Sequence, residues 1–117
     1  MLDWKGYKTK LTKRLGIFAR LSPDTMKGYQ TLSQANADGV LDTKTRELIA
    51  LACAVTTRCD GCIDVHTQAA IQAGCSEEEI AAALGVAVAM NAGAAMVYSA
   101  RVMDAYAQLK PSDQTEV

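Results

Sequence analysis

Residues 43–66 read TKTRELIALACAVTTRCDGCIDVH. Leu48, Leu51, Ala52 and Val55 recur at spacings of three and four, the apolar face of a helix. Asp42 stands just before this run, where an N-cap belongs. The pattern fades at Thr56-Thr57-Arg58. A second helical run starts around residues 59–62 and stops at Gly74, a residue suited to a helix C-terminus. Two helices joined by a tight turn, with paired cysteines opening the second, set the expectation of an all-α fold.

The rest of the chain extends this pattern. Toward the N-terminus, Trp4, Tyr7, Leu11, Leu15 and Phe18 mark one face of a first helix. Ser22-Pro23 reads as an N-cap followed by proline at the first helical position, so another helix runs to about Ala35. Asn36-Ala37-Asp38-Gly39 is a turn cluster. Toward the C-terminus, Ser76-Glu77-Glu78-Glu79 fits a capping box. A break at Asn91-Ala92-Gly93 is expected before a sixth helix that ends near Leu109, where Lys110-Pro111 stops it and a loose polar tail follows. The expectation is one structural domain of about six helices: N-terminal helices over 1–40, a core over 41–109, and a flexible tail over 110–117.

Composition sets limits. The 117 residues suit one domain, and a chain this small gains from a partner subunit. Half the residues are apolar but only 5% are aromatic, so the core draws on Ala, Leu, Val, Ile and Met. The net charge of -1 speaks against a dedicated nucleic-acid binder. Six Lys and Arg lie within residues 1–20, and without a base-reading motif they are expected to form a solvated helix face. Residues 80–100 carry no charge for 21 positions, long enough to cross a bilayer. Nine of them are Ala, which contributes little transfer energy, so buried helices in an oligomeric core are expected rather than a membrane span. The start, MLDWKGYKTK, lacks the apolar stretch of a signal peptide. A cytoplasmic location is therefore expected, where four cysteines point to redox chemistry or metal rather than structural disulfides.

The chemistry concentrates in Cys59-Asp60-Gly61-Cys62-Ile63-Asp64-Val65-His66. On a helix, Cys59, Cys62 and His66 share one face. A helix N-terminus presents partial positive charge and free N–H groups, and an imidazole four residues on accepts a proton or holds charge beside the sulfur. Both favour a thiolate, the species that attacks peroxides and disulfides, and a second cysteine resolves the resulting sulfenic acid as a disulfide. Glu47 heads a stripe continued by Ala50, Leu51 and Ala54; partial burial would raise its pKa and let it pass protons. Its plainer roles are a helix-start acid or a salt bridge to Arg46 or Arg58. Cys53 reads as a small core residue and Cys75 as a turn residue, neither catalytic.

Together Glu47, Cys59, Cys62 and His66 form E-x11-C-x2-C-x3-H. This pattern resembles the alkylhydroperoxidase D-like, or carboxymuconolactone decarboxylase-like, family, over residues 41–109 and most specifically over 43–82. The resemblance implies that family's all-α array and a homo-oligomer, often a trimer or hexamer. It implies a thiol-dependent peroxidase or disulfide oxidoreductase without metal, haem or flavin. Cys62 would attack the hydroperoxide, Cys59 would resolve it, and Glu47 and His66 would relay protons. A dithiol donor, lipoyl or thioredoxin-like, would regenerate the pair. Gly61 departs from the better-known peroxidase, which has a second histidine there. Two other readings remain open at this point: a lactone decarboxylase using Glu47 or His66, and a zinc module using Cys59, Cys62 and His66 with Glu47 as a fourth ligand.

Overall fold

The computed structural model describes residues 1–35 and 37–112. It contains five helices and, among the described residues, no strand: α1 (Trp4–Leu21), α2 (Pro23–Ser33), α3 (Thr43–Thr57), α4 (Asp60–Gln72) and α5 (Glu77–Leu109). The all-α expectation holds.

The helix starts follow their capping residues. The Asp3 carboxylate accepts from the Gly6 N–H, and Asp42 accepts from the Thr45 N–H at 2.7 Å. Ser76 and Glu79 complete the capping box in both directions, at 3.1 and 3.0 Å. Ser22 precedes Pro23 as expected, but its hydroxyl bonds the Thr25 side chain rather than a backbone N–H.

Two helix ends use the same left-handed turn. After α4, Gly74 adopts φ +86°, and the Cys75 N–H reaches back to the Ala70 carbonyl at 2.9 Å. After α3, Arg58 takes that conformation, with φ 56° and ψ 50°, and the Cys59 N–H bonds the Ala54 carbonyl at 3.0 Å. A side chain in this region costs about 1 kcal/mol relative to glycine. The cost falls at the residue before Cys59, where the chain reverses from α3 into α4.

One expected boundary is absent. Asn91-Ala92-Gly93 does not break the last helix, so α5 is continuous over 33 residues and the expected fifth and sixth helices are one. The Asn91 amide bonds the Ala87 carbonyl one turn back and the Thr56 hydroxyl of α3, at 2.7 and 2.9 Å. Its polar group is satisfied within helical geometry, so nothing forces a kink. The turn residue Asn36 and residues 113–117 of the expected tail lie outside the described residues.

Helix α3 is central, with α4 packed antiparallel and α5 parallel to it. Lys44 pairs with Glu79 at 2.9 Å near the starts of α3 and α5, and Thr56 meets Asn91 at the other end of α3. The buried residues among those described are Leu51, Ala54, Ala70 and Ala87, all at this junction. Small side chains on three helices let the backbones approach closely. Helix α1 touches only α2 and the face of α4. Its Trp4, Tyr7 and Leu11 are half-buried, whereas Leu15 and Phe18 of the same stripe are exposed. Beyond Asn91, no helix among the described residues flanks α5, and Met96, Val97, Tyr98, Val102 and Met103 are exposed. By length and composition alone α5 is apolar enough to cross a membrane.

Candidate redox site

Cysteine 59 is the N-cap of α4, in extended conformation, and Cys62 lies in the first turn. Their Cα atoms are 5.2 Å apart and the sulfurs are joined as a disulfide. The Cys59 Sγ also accepts the Cys62 N–H at 3.2 Å, filling the capping role that a serine or aspartate oxygen usually takes. A thiolate on Cys59 gains the most from that N–H and from the positive end of the α4 dipole.

One turn further on, His66 Nδ1 lies 2.7 Å from Glu47 Oε2. The His66 and Glu47 side chains are 35% and 17% exposed, so the carboxylate is largely shielded from solvent while the imidazole stays partly open to it. Glu47 sits in the second turn of α3, directly across from His66, because α3 and α4 run antiparallel from the Arg58 turn. The sequence left Arg46 and Arg58 as possible partners for Glu47; in the structure the carboxylate bonds His66 of α4. With Nδ1 engaged, Nε2 is the ring nitrogen left to exchange a proton.

All four residues singled out from the sequence thus lie along the α3–α4 seam. The shared helical face needs one adjustment, since Cys59 precedes the helix as its cap. Cys53 is exposed rather than in the core, because α3 turns that face away from both neighbours. Cys75 is half-buried, with its Sγ 3.9 Å from the Lys44 carbonyl. Among the described residues, no group of three or more His, Cys, Asp or Glu side chains is placed to hold a metal ion. Sequence reasoning did not foresee the left-handed Arg58, since only glycine or asparagine advertises that conformation. It also missed α1 lying across the CxxC turn, which no spacing encodes.

Known proteins share this helical array. Residues 23–105 match the family model described as the carboxymuconolactone decarboxylase family. An uncharacterized protein of Haemophilus influenzae is 51% identical over 109 residues, covering 92% of this chain and 96% of its own length. A protein from the cox locus of Paracoccus denitrificans, also uncharacterized, is 36% identical over 95 residues, which are 80% of this chain and 86% of that one. Among solved structures, the apo form of a carboxymuconolactone decarboxylase family protein from Legionella pneumophila superposes with a TM-score of 0.69. It is 36% identical and covers 92% of this chain and 97% of its own. A protein from Methanobacterium thermoautotrophicum gives 0.66 at 32% identity, over 73% of this chain and 97% of that one. With the family match spanning most of α2 to α5 and the helical array in common, this chain belongs to the carboxymuconolactone decarboxylase family.

Proposed function

We propose that this protein is a thiol-dependent peroxidase of the alkylhydroperoxidase D-like branch, working through Cys59 and Cys62. The observation that carries the reading is the disulfide-bonded pair at the start of α4 with a shielded Glu47–His66 hydrogen bond one turn away. A purely structural disulfide has no use for a carboxylate-oriented imidazole beside it.

In the reduced protein, His66 Nε2 takes the Cys62 proton while Glu47 holds the ring and steadies its positive charge. The Cys62 thiolate attacks the distal oxygen of a hydroperoxide. The O–O bond breaks, an S–O bond forms, and the alkoxide leaves as an alcohol with a proton relayed from His66. The product is a sulfenic acid on Cys62. The Cys59 thiolate, stabilised by the Cys62 N–H, then attacks that sulfur, closes the disulfide and releases water. Two electrons have passed from the thiol pair to the peroxide. A dithiol donor, a lipoyl or thioredoxin-like protein, returns them by exchange, with Cys59 the better leaving thiolate. Such donors belong to a reducing compartment, and the proposal puts the enzyme in the cytoplasm.

The same reading takes the working form as a homo-oligomer, a trimer or hexamer. Its support is the shortage of intrachain burial and the row of exposed Val, Met and Tyr along α5. Gly85 and Gly93 have open space where a Cβ would sit, which suits close approach of another helix.

Titrating reduced protein with peroxide and weighing the products tests the chemistry. Wild type forms the Cys59–Cys62 disulfide, and Cys59→Ser retains one added oxygen on Cys62. Peroxide consumption by Cys62→Ser at the wild-type rate would falsify the proposal.

A further inference from the structure

The five helices touch in single file: α2 meets α1, α1 meets α4, α4 meets α3, and α3 meets α5. Among the described residues no contact closes the file, so α2 with the end of α1 forms one edge and α5 the other. A domain that buries its own core has polar edges, but both edges here are apolar. Phe18, Leu21, Tyr29 and Leu32 are exposed at the first, and Val86, Met90 and Val97 at the second. The last three recur at helical spacing on one face of α5, with Gly93 between them and open space where its Cβ would sit.

Helix length and charge set the two edges further apart. Helix α2 has 11 residues, and a helix that short is marginal in water without tertiary packing. Within the chain it packs on α1 alone, which leaves its Tyr29 and Leu32 bare. Helices α1 and α2 carry seven Lys and Arg against Asp24, a net charge of +6. Helix α5 carries four acids against Arg101, a net charge of -3. Between two copies, opposite edges therefore attract and like edges repel.

We infer that the α1–α2 edge of one copy packs on the exposed face of α5 of a second copy, head to tail. This rests on the homo-oligomer reading above and names the two surfaces that form the contact. Different patches meet, so the contact is heterologous, and repeating it closes a ring such as a trimer rather than a two-fold pair. Gly93 lets the arriving helix approach closely, and each edge covers the apolar side chains that the other leaves bare. The contact also reaches toward the redox site. Helix α1 is continuous, and its first half rests on α4, where Lys8 bonds Gln68 and a Cβ at Gly61 would meet Leu11 Cδ2 at 2.9 Å. The helix that engages the second copy thus lies against the turn that carries the cysteines.

Two substitutions test the contact from its two sides. Leu32→Asp puts a carboxylate on the α1–α2 edge, and Val97→Asp puts one on α5. Both positions are exposed in the single chain, so each variant keeps its own fold. Buried unpaired at the contact, either carboxylate weakens assembly about a thousandfold. Gel filtration with light scattering then reads each variant as a monomer where wild type is an oligomer. Mixed in equal amounts, the variants regain one intact contact, because the Val97→Asp chain keeps its α1–α2 edge and the Leu32→Asp chain keeps its α5. The expected product is a dimer of one chain of each kind that grows no further. A mixture that stays monomeric overturns the inference, and so does Leu32→Asp assembling as wild type does; both leave the homo-oligomer reading standing. A monomeric wild type overturns both readings. A crosslink tests the same contact with the other surfaces unaltered. The photoreactive residue p-benzoylphenylalanine in place of Tyr29 is expected to join residues 77–109 of another copy, assigned by mass in mixed nitrogen-15-labelled and unlabelled chains. Crosslinks confined to one copy, or to the α1–α2 edge of the other, overturn the inference.

Discussion

The α3–α4 seam and the C-terminal half of α5 are built on opposite terms. Along the seam, Leu51, Ala54 and Ala70 are buried, the helix ends are capped, and Glu47 meets His66 within hydrogen-bond distance. Beyond Asn91, the chain's most apolar helix runs on uncovered for a further 18 residues, about 27 Å at the α-helical rise. The radius of gyration is 20.5 Å, against about 13 Å for a compact domain of this length. The chain thus holds its cysteine pair by itself but leaves its hydrophobic burial unfinished. The four candidate site residues all come from one chain, whereas the apolar face of α5 beyond Asn91 is left uncovered by it.

The largest effect should come from charging the bare half. Val97 is 70% exposed in the single chain. If copies of the chain cover it, Val97→Asp buries an unpaired carboxylate at every interface, a cost of several kcal/mol each. Light scattering coupled to gel filtration should then give an oligomer for wild type and a monomer for the variant. A wild-type monomer at micromolar concentration would break the comparison at once.

Next in size is Leu51→Ala, at 3% exposure the seam's one large buried side chain. The loss is about 3 kcal/mol in denaturant unfolding, from lost transfer energy and a residual cavity. This cost belongs to each chain and should not depend on protein concentration. The same kind of change at Val102, 67% exposed, should cost under about 0.5 kcal/mol in dilute protein, as at any surface position. It should cost more as concentration drives assembly. Concentration-independent losses at both positions would mean that α5 is not an interface.

A comparable effect on rate is expected from Glu47→Gln. The amide keeps the contact with His66 but cannot steady an imidazolium. Reaction of Cys62 with peroxide should slow about a hundredfold, typical of a lost acid–base partner, while unfolding changes little. Stopped-flow oxidation of the reduced protein measures it. A smaller loss, about 1 kcal/mol, is expected for Ser76→Ala, which removes the hydroxyl that caps α5. Thermal unfolding at fixed concentration reads that cost.

Much of this architecture was legible in the sequence because it is written in local signals. Asp42, Ser76 and Gly74 mark helix ends through interactions within four residues, and each does so in the structure. Cys59, Cys62 and His66 were grouped by helical spacing, and Glu47 by its place at the head of an apolar stripe. What stayed hidden depends on groups distant in the chain. The Asn91 amide suggested a break, but its second bond is to Thr56, 35 residues away, and the helix continues. Cys53 sits among apolar neighbours in sequence, yet α3 turns it outward in the single chain. Arg58 gave no hint of a left-handed turn, because its conformation is imposed by the tight reversal between α3 and α4.

The finest test of the contrast is acid. Two carboxylates at adjacent helix starts have pKa values below their ordinary range. Asp42 is lowered by the hydrogen bond from the Thr45 N–H, and Glu79 first by the Ser76 N–H and then by Lys44. Lys44 is raised in turn by its bond to Glu79. A carboxyl group lowered in the folded state stabilises it above its unfolded pKa and loses that contribution as pH falls through the folded value. Stability from Asp42 and Glu79 is therefore present at neutral pH and fades below about pH 4. The Lys44 contribution has the opposite sense: it holds through neutrality and is lost only above about pH 10.5. All three groups are solvent-exposed, so the effect is small and weakens with salt. Because these bonds clamp the start of α3 to the start of α5, acid should loosen that end first. The Asn91–Thr56 contact at the other end carries no titrating group and should persist. Amide exchange at pH 3 and pH 6, in wild type and in Glu79→Gln, resolves the two ends. Faster exchange at the start of α5 in wild-type acid, matched by the variant at both pH values, is the expected pattern. Uniform loosening along α5 would mean that the clamp contributes nothing local to the start of the helix.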